Sequence, residues 1–515
     1  MTNWSALVVN LVVMFFLSPF VVHTLGKMEY GIWSLLTVLT GYMGIMDLGV
    51  RASTGRHVIL YLGKDDHEKI DHTIRTSLGF FSLTGGVVLA VGLLGGWVVP
   101  RAFSSIPHDY HGLVMILLPV MALNVWFSAI SAVFSSVILA HQRFDIMRAI
   151  DIGTLAIRAV GTIVALKLGY GLLGLAIVVV ATNVAGLVAN WVIARRIYDR
   201  LKSWPLMLDK ASVRELLTYG AAAFIGTISV KIIGQTDIVV VTAAISIPAA
   251  AVYSVGATLM YYSSNFMGNI GTTFFPSLQI AAARGEAGSV RWFYLRQVRL
   301  AMILGILLNV GFIVFAEPFM KLWMLGPKFP LSSVQQAATV MAILAASKLL
   351  LLPEGGATGL LAATGRVNIM AAITLVEAVV NLGLSLAFVL VLKWGLAGVA
   401  AGTFFARLMV RTFVMPYCAC GAVGLRFSTF AIRVGSSAIA SGCLFAFACL
   451  GIRALIRIDS WPTFILASGL ALVAYAPIAL LLLVPADDIR RLGRKIRQAM
   501  AGKAGTEACE DPRIE

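Results

Sequence analysis

The sequence predicts an all-α integral membrane protein of about 14 transmembrane helices, with two six-helix lobes related by a parallel repeat plus two C-terminal helices. Three observations lead to this fold class. The chain is 59% hydrophobic and only 12% charged, whereas soluble domains are about 25% charged. Apolar runs of about 20 residues, each long enough to cross a ~30 Å hydrocarbon core, follow one another along the chain. Several short motifs also recur at a fixed spacing of 223 or 224 residues.

The apolar runs are helices rather than barrel strands. Runs such as 172–191 and 371–392 show no alternation of apolar and polar positions, and strands of a membrane barrel would alternate at every second residue. We place the fourteen spans at about 4–24, 31–50, 77–99, 113–139, 149–167, 172–193, 217–243, 249–276, 300–323, 335–353, 369–391, 394–415, 431–452 and 461–484.

Three landmarks carry the internal repeat. Residues 143–147 read RFDIM and residues 366–370 read RVNIM; residues 171–176 read GLLGLA and residues 395–400 read GLAGVA. Tyr30 has its counterpart in Tyr253. The repeat covers six helices, an even number, so both copies enter the membrane with the same polarity.

The repeat divides the chain into five parts. We predict an N-terminal lobe at 1–194 (spans 1–6), a cytoplasmic linker at 195–216, a C-terminal lobe at 217–415 (spans 7–12), a helix pair at 416–484 (spans 13–14) and a basic cytoplasmic tail at 485–515.

Two surface helices are expected on the cytoplasmic side. In the linker, Ser212 and Glu215 have the spacing of a capping box ahead of two leucines. In the tail, Ile489, Leu492 and Ile496 form an apolar stripe beside basic residues, which is typical of a helix lying on the inner leaflet. A solvated basic tail is the alternative.

The distribution of basic residues predicts the topology. If the N-terminus is inside, the outer side carries eight of the 40 Lys and Arg residues, the spans contain four, and the remaining 28 face the cytoplasm. This positive-inside bias places both termini in the cytoplasm. The net charge of +16 therefore reflects topology and contact with anionic lipid, and no basic-aromatic motif indicates nucleic-acid binding. The five cysteines form no CxxC motif, so we expect ordinary thiols and no metal site.

Polar residues inside the spans are the candidate functional residues, because a charge near the bilayer centre costs at least about 2.5–3.5 kcal/mol. The candidates for contact with a substrate in a cavity are Arg158, Lys231, Arg407, Lys348, Asn381 and Gln235. The candidates for ion coupling are Asp237, Glu377 and Asp151. For each charged residue the alternative is a buried pair between helices or a side chain that snorkels to the interface.

Two of these sets form facing stripes. Span 5 carries Asp151 and Arg158 on one helical face, and its repeat mate, span 11, carries Thr374, Glu377 and Asn381 on one face. Because position 158 corresponds to 381, the stripes are expected to lie at the same depth and to line a water-filled cavity between the lobes. By contrast, Asp47 and Arg51 at the end of span 2 are expected to form a local ion pair.

The sequence shows no catalytic constellation. The seven histidines lie mainly in loops, no two of them are spaced i, i+4, and neither a GxxxxGK[ST] nor a GxSxG motif is present. We therefore expect no catalytic residues, no cofactor and no ATP hydrolysis within this chain.

Several short motifs, in this order along the chain, resemble those of a known family. They are residues 25–33 (LGKMEYGIW), 47–49 (DLG), 235–237 (QTD) before Tyr253, 363–366 (ATGR) and 395–402 (GLAGVAAG). They resemble the bacterial polysaccharide flippases of the Wzx type, members of the multidrug/oligosaccharidyl-lipid/polysaccharide exporter superfamily. The resemblance covers nearly the whole chain. Relatives often begin with a short basic segment that is not seen before span 1 here, so a start upstream of this sequence is an expectation.

The resemblance implies two six-helix lobes in a V and two further helices. It implies alternating access, driven by an ion gradient or the membrane potential, and an undecaprenyl-pyrophosphate-linked oligosaccharide as substrate. The substrate would cross from the inner to the outer leaflet of the bacterial cytoplasmic membrane for export of O-antigen, capsule or exopolysaccharide. Polysaccharide polymerase or assembly proteins are the implied partners, besides membrane lipid.

Three alternatives remain open at this point. A peptidoglycan-precursor flippase shares the fourteen-helix plan. A drug/cation antiporter of the same superfamily would have twelve helices and a cavity dominated by carboxylates, which the basic residues of the spans argue against. A membrane polymerase or ligase would usually need a sizeable extramembrane loop, whereas no predicted outer loop exceeds about fifteen residues.

Overall fold

The computed structural model describes residues 2–202, 204–352 and 354–484, without the side chains of residues 2–7, 221–223, 225–227, 229–230, 232, 269–270, 272, 355, 367 and 433. Within the described ranges every regular element is a helix and none is a strand. The all-α membrane fold class is therefore confirmed. The amphipathic helix expected around residues 489–496 lies outside the described residues.

The first half of the chain forms six helices, of which α2 is the shortest. They are α1 (Thr2–Met43), α2 (Val50–Leu62), α3 (His67–Ala102), α4 (His111–Ala140), α5 (Phe144–Lys167) and α6 (Gly171–Ile197), with 3-10 turns at Gly44–Asp47 and His108–Tyr110. Helix α1 contains spans 1 and 2, and the backbone breaks between them at Gly26, where φ is 80° and ψ is 177°. Only glycine adopts such a conformation without strain.

The second half contains more interruptions. Its helices are α7 (Lys210–Ala244), α8 (Ile247–Ala283), α9 (Ala287–Val314), α10 (Ala316–Met324), α11 (Leu331–Leu349), α12 (Glu354–Ala363), α13 (Val367–Leu386), α14 (Gly395–Ala406), α15 (Thr412–Ala422), α16 (Phe427–Phe430), α17 (Ser436–Leu455) and α18 (Trp461–Leu482). Wider π turns occur at Ala387–Val391, Arg407–Arg411 and Ala431–Gly435.

Each of the fourteen predicted spans overlaps one of these helices. By length and composition, ten helices in the described part of the chain can cross a membrane, so a count of fourteen crossings stays a prediction. The ninth span was placed wrongly at its end: α9 stops at Val314, and α10 is a separate short helix. The apolar residues of α10 make its sequence look like the end of a span. Glu317 and Lys321 of the same helix form an ion pair at 2.8 Å, and this polar side can face water.

The separate surface helix predicted in the linker is wrong. Residues 198–202 and 204–209 form no helix, and α7 begins at Lys210 and continues into span 7. Its N-cap is Asp209, whose carboxylate accepts hydrogen bonds from the backbone nitrogens of Ala211 (3.4 Å) and Ser212 (2.9 Å). The predicted cap, Ser212, lies one turn inside the helix and donates its hydroxyl to Asp209 at 2.7 Å. These bonds from Ser212 hold the pKa of Asp209 below its usual value.

The two halves of the chain pack together along α1, α7 and α8. A Cβ on Gly31 of α1 would collide with the backbone of Ile247, and a Cβ on Gly49 with the backbone of Gly220. Val22 of α1 is fully buried in the same apolar cluster as Tyr253 of α8. The absence of side chains at the two glycines therefore lets the helices of the two lobes approach at backbone distance.

Candidate functional site

A cluster of charged residues lies inside the second lobe. Glu377 of α13 is 1% exposed. It accepts a hydrogen bond from Arg411 Nη1 at 2.7 Å, and its other oxygen lies 3.6 Å from Arg407 Nε. Arg411 also forms a very short ion pair with Glu354, the first residue of α12. Arg411 thus joins two carboxylates that are 23 residues apart in the sequence.

The local backbone explains why both arginines face this cluster. Arg407 and Arg411 are the first and last residues of the π turn between α14 and α15. A π turn is a local widening of the helix that is found often at functional sites. The Arg407 guanidinium additionally donates to Ser347 Oγ of α11 at 2.5 Å. Through Arg407 and Arg411, this π turn is bonded to three neighbouring helices, α11, α12 and α13.

A second polar network surrounds Asp237 of α7. Its Oδ2 accepts hydrogen bonds from Tyr253 Oη of α8 at 2.6 Å and from Thr403 Oγ1 of α14 at 3.0 Å. Asn381 of α13 donates in turn to Thr403 at 2.9 Å. Asp237 is 7% exposed, and its Oδ1 has no partner among the described residues. No described cation lies within ion-pair distance of this carboxylate.

A narrow cavity of about 490 Å³ lies beside the charged cluster, between α8, α9, α11 and α12. Its wall is mostly apolar and includes Met267 and Phe275. Glu354 and Lys348 supply the charges of the wall. Glu354 is already paired with Arg411, whereas Lys348 forms neither an ion pair nor a hydrogen bond with any residue that the structure describes.

The structure separates the two polar stripes that were expected to face one another. Helix α13 packs against α7 and α14, so Glu377 and Asn381 are covered by neighbouring helices and do not line an open cavity between the lobes. The expectation for these two residues was wrong in this respect. Helical periodicity shows which residues share a face, but not which helix covers that face.

In the first lobe, the two charged residues of the polar stripe on α5 do not contact each other. Asp151 of α5 is exposed and forms an ion pair with Arg148 at 2.8 Å rather than contacting Arg158. Arg158 is half-buried, and its Nε is buried without a hydrogen-bond partner in the described part of the chain. Neither residue is joined to the cluster around Glu377.

Two further candidates lie at the contact between the lobes. Lys231 Nζ of α7 donates to the backbone carbonyl of Gly41 on α1 at 2.6 Å. One turn further along α7, the amide of Gln235 packs directly over the same glycine. The expected local pair at the end of span 2 is confirmed, with 3.9 Å between Asp47 Oδ2 and Arg51 Nε.

Sequence reasoning missed half of the charged cluster. Arg411 lies near the end of predicted span 12 and Glu354 directly after predicted span 10, where a charge needs no partner inside the membrane, so neither was selected as a candidate. The available signals were the i, i+4 spacing of Arg407 and Arg411, which puts both on one helical face, and the interruption of span 10 beside Glu354.

The repeat relates this cluster to a neutral one in the first lobe. Asn183 of α6 donates to Asn124 of α4 at 2.5 Å. At the spacing of 223 or 224 residues, these two positions correspond to Arg407 and Ser347. The same two helices are therefore joined at the same place in both lobes. In the first lobe α4 and α6 are joined through two amides, and in the second α11 and the end of α14 are joined through a hydroxyl and a guanidinium.

Two turns away, the correspondence holds for one partner only. Asn190 of α6 donates to Ser131 of α4 at 3.2 Å; position 131 corresponds to Glu354, whereas position 190 corresponds to Val414. Position 125, which corresponds to Lys348, is Val125. At these positions only the second lobe carries charges, and Lys348 has no charged counterpart in the first lobe.

Comparison with solved structures shows which fold this is. An inward-facing multidrug-resistance MATE transporter of the MOP superfamily is similar with a TM-score of 0.66 at 14% identity, over 81% of this chain and 98% of that one. The lipid II flippase MurJ in an inward closed conformation gives a TM-score of 0.67 at 13% identity, over 93% and 97%. A MOP-superfamily transporter from Pyrococcus furiosus gives 0.60 at 14% identity, over 81% and 94%.

Sequence comparison adds a family. The model of the family described as "Polysaccharide biosynthesis protein" matches residues 20–333, which is more than half of the chain. No curated protein sequence matches significantly.

Proposed function

This chain belongs to the polysaccharide biosynthesis protein family, and from this premise we propose that it flips an undecaprenyl-pyrophosphate-linked oligosaccharide from the inner to the outer leaflet by alternating access. The product would be exported as O-antigen, capsule or exopolysaccharide. The fold supports the proposal, because the similar structures are transporters and a flippase of one superfamily.

One observation carries the substrate class. Arg158 and Lys348 lie in the helices of predicted spans 5 and 10, one in each lobe, and neither forms an ion pair with a described residue. An uncompensated cation in a membrane is costly, and a phosphate group offers the charge-assisted hydrogen bonds that would offset that cost. The substrate is therefore anionic, as a pyrophosphate-linked lipid is.

The remaining candidates take different roles in this proposal. Asp237, a buried carboxylate without a cation, is the coupling residue that takes up and releases a proton. Glu377 and Arg407 keep the helices of the second lobe in place, and Asn381 supports the Asp237 network through Thr403. Lys231 and Gln235 act at the contact between the lobes. Asp151 and its partner Arg148 lie at the entrance to the first lobe.

The orientation also belongs to the proposal. In this proposal both termini lie in the cytoplasm of a bacterium and the protein lies in its cytoplasmic membrane. The excess of Lys and Arg on one side, 28 residues against eight, supports that orientation. Polysaccharide polymerase or assembly proteins would receive the flipped substrate on the outer side.

Complementation of a strain that lacks its polysaccharide flippase tests the proposal. Wild-type protein should restore surface polysaccharide. Arg158→Gln, Lys348→Gln and Asp237→Asn should each reduce it at least tenfold at equal protein level, whereas Lys167→Gln at the exposed end of α5 should not. Full activity of both Arg158→Gln and Lys348→Gln would show that the cationic residues do not bind the substrate.

A peptidoglycan-precursor flippase is the second candidate. The structure of the lipid II flippase corresponds to 93% of this chain, compared with 81% for the MATE transporters. Rescue of a strain depleted of its peptidoglycan-precursor flippase, together with failure to restore surface polysaccharide, would establish this alternative. Resistance to organic cations in an overexpressing strain would instead indicate a drug antiporter.

A further inference from the structure

We propose that the cavity inside the second lobe binds a single phosphate-bearing lipid, with the phosphate at Lys348 and one hydrocarbon chain along the apolar wall. This inference rests on the proposed function only for the identity of the lipid. The cavity lies between α8, α9, α11 and α12, within the second lobe.

The charges of the cavity wall indicate an anionic ligand. The neighbouring cluster contains three cations, Lys348, Arg407 and Arg411, and two carboxylates, Glu354 and Glu377. The two arginines satisfy both carboxylates. Lys348 is the surplus charge, and it is also the cation that lines the cavity without a partner among the described residues. One anionic group beside Lys348 would complete the cluster.

The shape of the cavity indicates a chain rather than a sugar. Gln297 and Asn309 both line it, and on α9 they are separated by about 18 Å at 1.5 Å per residue. The cavity has a volume of about 490 Å³ and follows α9 over that length, an elongated form that suits an extended hydrocarbon chain. The wall is lined mainly by apolar groups, as a chain requires.

The direction of the cavity agrees with a lipid of the inner leaflet. Lys348 lies near the end of α11 that the basic-residue distribution places on the cytoplasmic side. Asn309 lies toward the opposite end of α9. A phosphate at Lys348 would sit near the inner interface, and its chain would extend toward the membrane centre, as the chains of that leaflet do.

Two variants test the charge and the shape of the cavity separately. Lys348→Gln removes the ammonium and keeps a polar side chain of similar length. Gly268→Leu fills the cavity, because Gly268 lines it and a Cβ there meets no atom within 4 Å. Matched controls are Lys167→Gln, whose lysine lies at the exposed end of α5, and Gly469→Leu on α18, where a Cβ also meets open space.

The experiment measures binding to the full-length protein in nanodiscs of zwitterionic lipid. A fluorescent polyprenyl pyrophosphate without sugar is the probe, and unlabelled polyprenyl pyrophosphate, phosphatidylglycerol and inorganic pyrophosphate are the competitors. We expect Lys348→Gln to weaken binding of the probe at least tenfold, as loss of a charged hydrogen bond does. Gly268→Leu should weaken the probe similarly and leave inorganic pyrophosphate unaffected, and both controls should stay within twofold of wild type.

The outcomes distinguish the sources of the phosphate. Displacement by polyprenyl pyrophosphate alone supports the site with the transported lipid as its occupant, whereas equal displacement by phosphatidylglycerol supports the site with a resident phospholipid. Unchanged affinity in both Lys348→Gln and Gly268→Leu, with thermal unfolding like that of wild type, overturns the site. If wild-type protein fails complementation but the Lys348 dependence of binding persists, the proposed function fails and the lipid site stands.

Discussion

At the scale of single residues, Glu377 is the centre of the buried charges. It is 1% exposed and lies between two guanidinium groups. A buried carboxylate is stable only while its partners remain, because their positive charge offsets the free-energy cost of removing the carboxylate from water. The pair of arginines therefore has a structural role in addition to any contact with substrate.

We predict that Glu377→Ala lowers the free energy of unfolding by about 3–5 kcal/mol, since it leaves Arg407 and Arg411 with one carboxylate between them. Glu317→Ala is the control, because the Glu317 carboxylate is partly exposed and its pairs with Lys321 and Arg453 are worth about 0–1 kcal/mol. Thermal unfolding of the purified variants in detergent measures both. Equal unfolding temperatures for the two would contradict a buried network around Glu377.

Residue types inside spans identified only part of this cluster. Glu377 and Arg407 could be selected from the sequence because each interrupts an apolar run. Their partners could not, because Arg411 and Glu354 lie close to span ends and are 57 residues apart. Their meeting depends on the packing of α12 against α15 and of α13 against the π turn, which no local pattern records.

At the scale of elements, the contact between α1 and α8 depends on a missing side chain. A Cβ on Gly31 would overlap the backbone carbonyl of Ile247, which begins α8. Backbone atoms cannot rotate away as a side chain does, so a larger residue must push the two helices apart.

We expect Gly31→Leu to lower stability by at least about 1–3 kcal/mol through this overlap. Gly86→Leu on α3 is the matched control, because a Cβ at Gly86 has no atom within 4 Å and leucine is the better helix former. The yield of folded protein and its unfolding temperature report the difference. A tolerated Gly31→Leu would mean that α1 and α8 are not in backbone contact.

At the scale of the whole molecule, the first segment of α1 ties the two lobes together at one end. His23 Nε2 lies 2.8 Å from the Met324 carbonyl, and Lys27 Nζ donates to Ser333 Oγ at 3.1 Å. Lys328 donates to the Thr24 carbonyl. These contacts join the break at Gly26 to the segment that follows α10, at the end predicted to face outward. Alternating access would require them to open.

We predict that the double variant Lys27→Ala, Lys328→Ala loosens this end. Each bond contributes about 1 kcal/mol, so their loss should raise the open population about tenfold or more. Amide hydrogen exchange of residues 316–330 should then be faster than in wild type. Lys321→Ala is the control, because Lys321 binds Glu317 within its own helix. Identical exchange in both variants would show that these bonds do not hold the lobes closed.

The two lobes have diverged in charge while retaining their contacts. The hydrogen bond between Asn183 and Asn124 and that between Arg407 and Ser347 occupy equivalent positions of the repeat. Substitution by charged residues in one lobe gives that lobe its surplus cation, Lys348, where the other has Val125. The second lobe therefore contains an apolar cavity whose wall carries a lysine without a partner among the described residues.

The sequence by itself determined the fold class and the approximate place of the long apolar helices, because hydrophobic length and periodicity are local properties of the chain. It did not predict the short helices α2, α10 and α12 as separate elements. It also indicated most of the buried charges, since each is conspicuous in an apolar run. Only the tertiary structure decided which charges meet. Asp237 and Thr403, which form a hydrogen bond, are 166 residues apart in the sequence. The sequence of a helix shows which residues form its polar face, but not which neighbouring helix covers that face. That covering made Glu377 part of a closed network and left Lys348 open to a cavity.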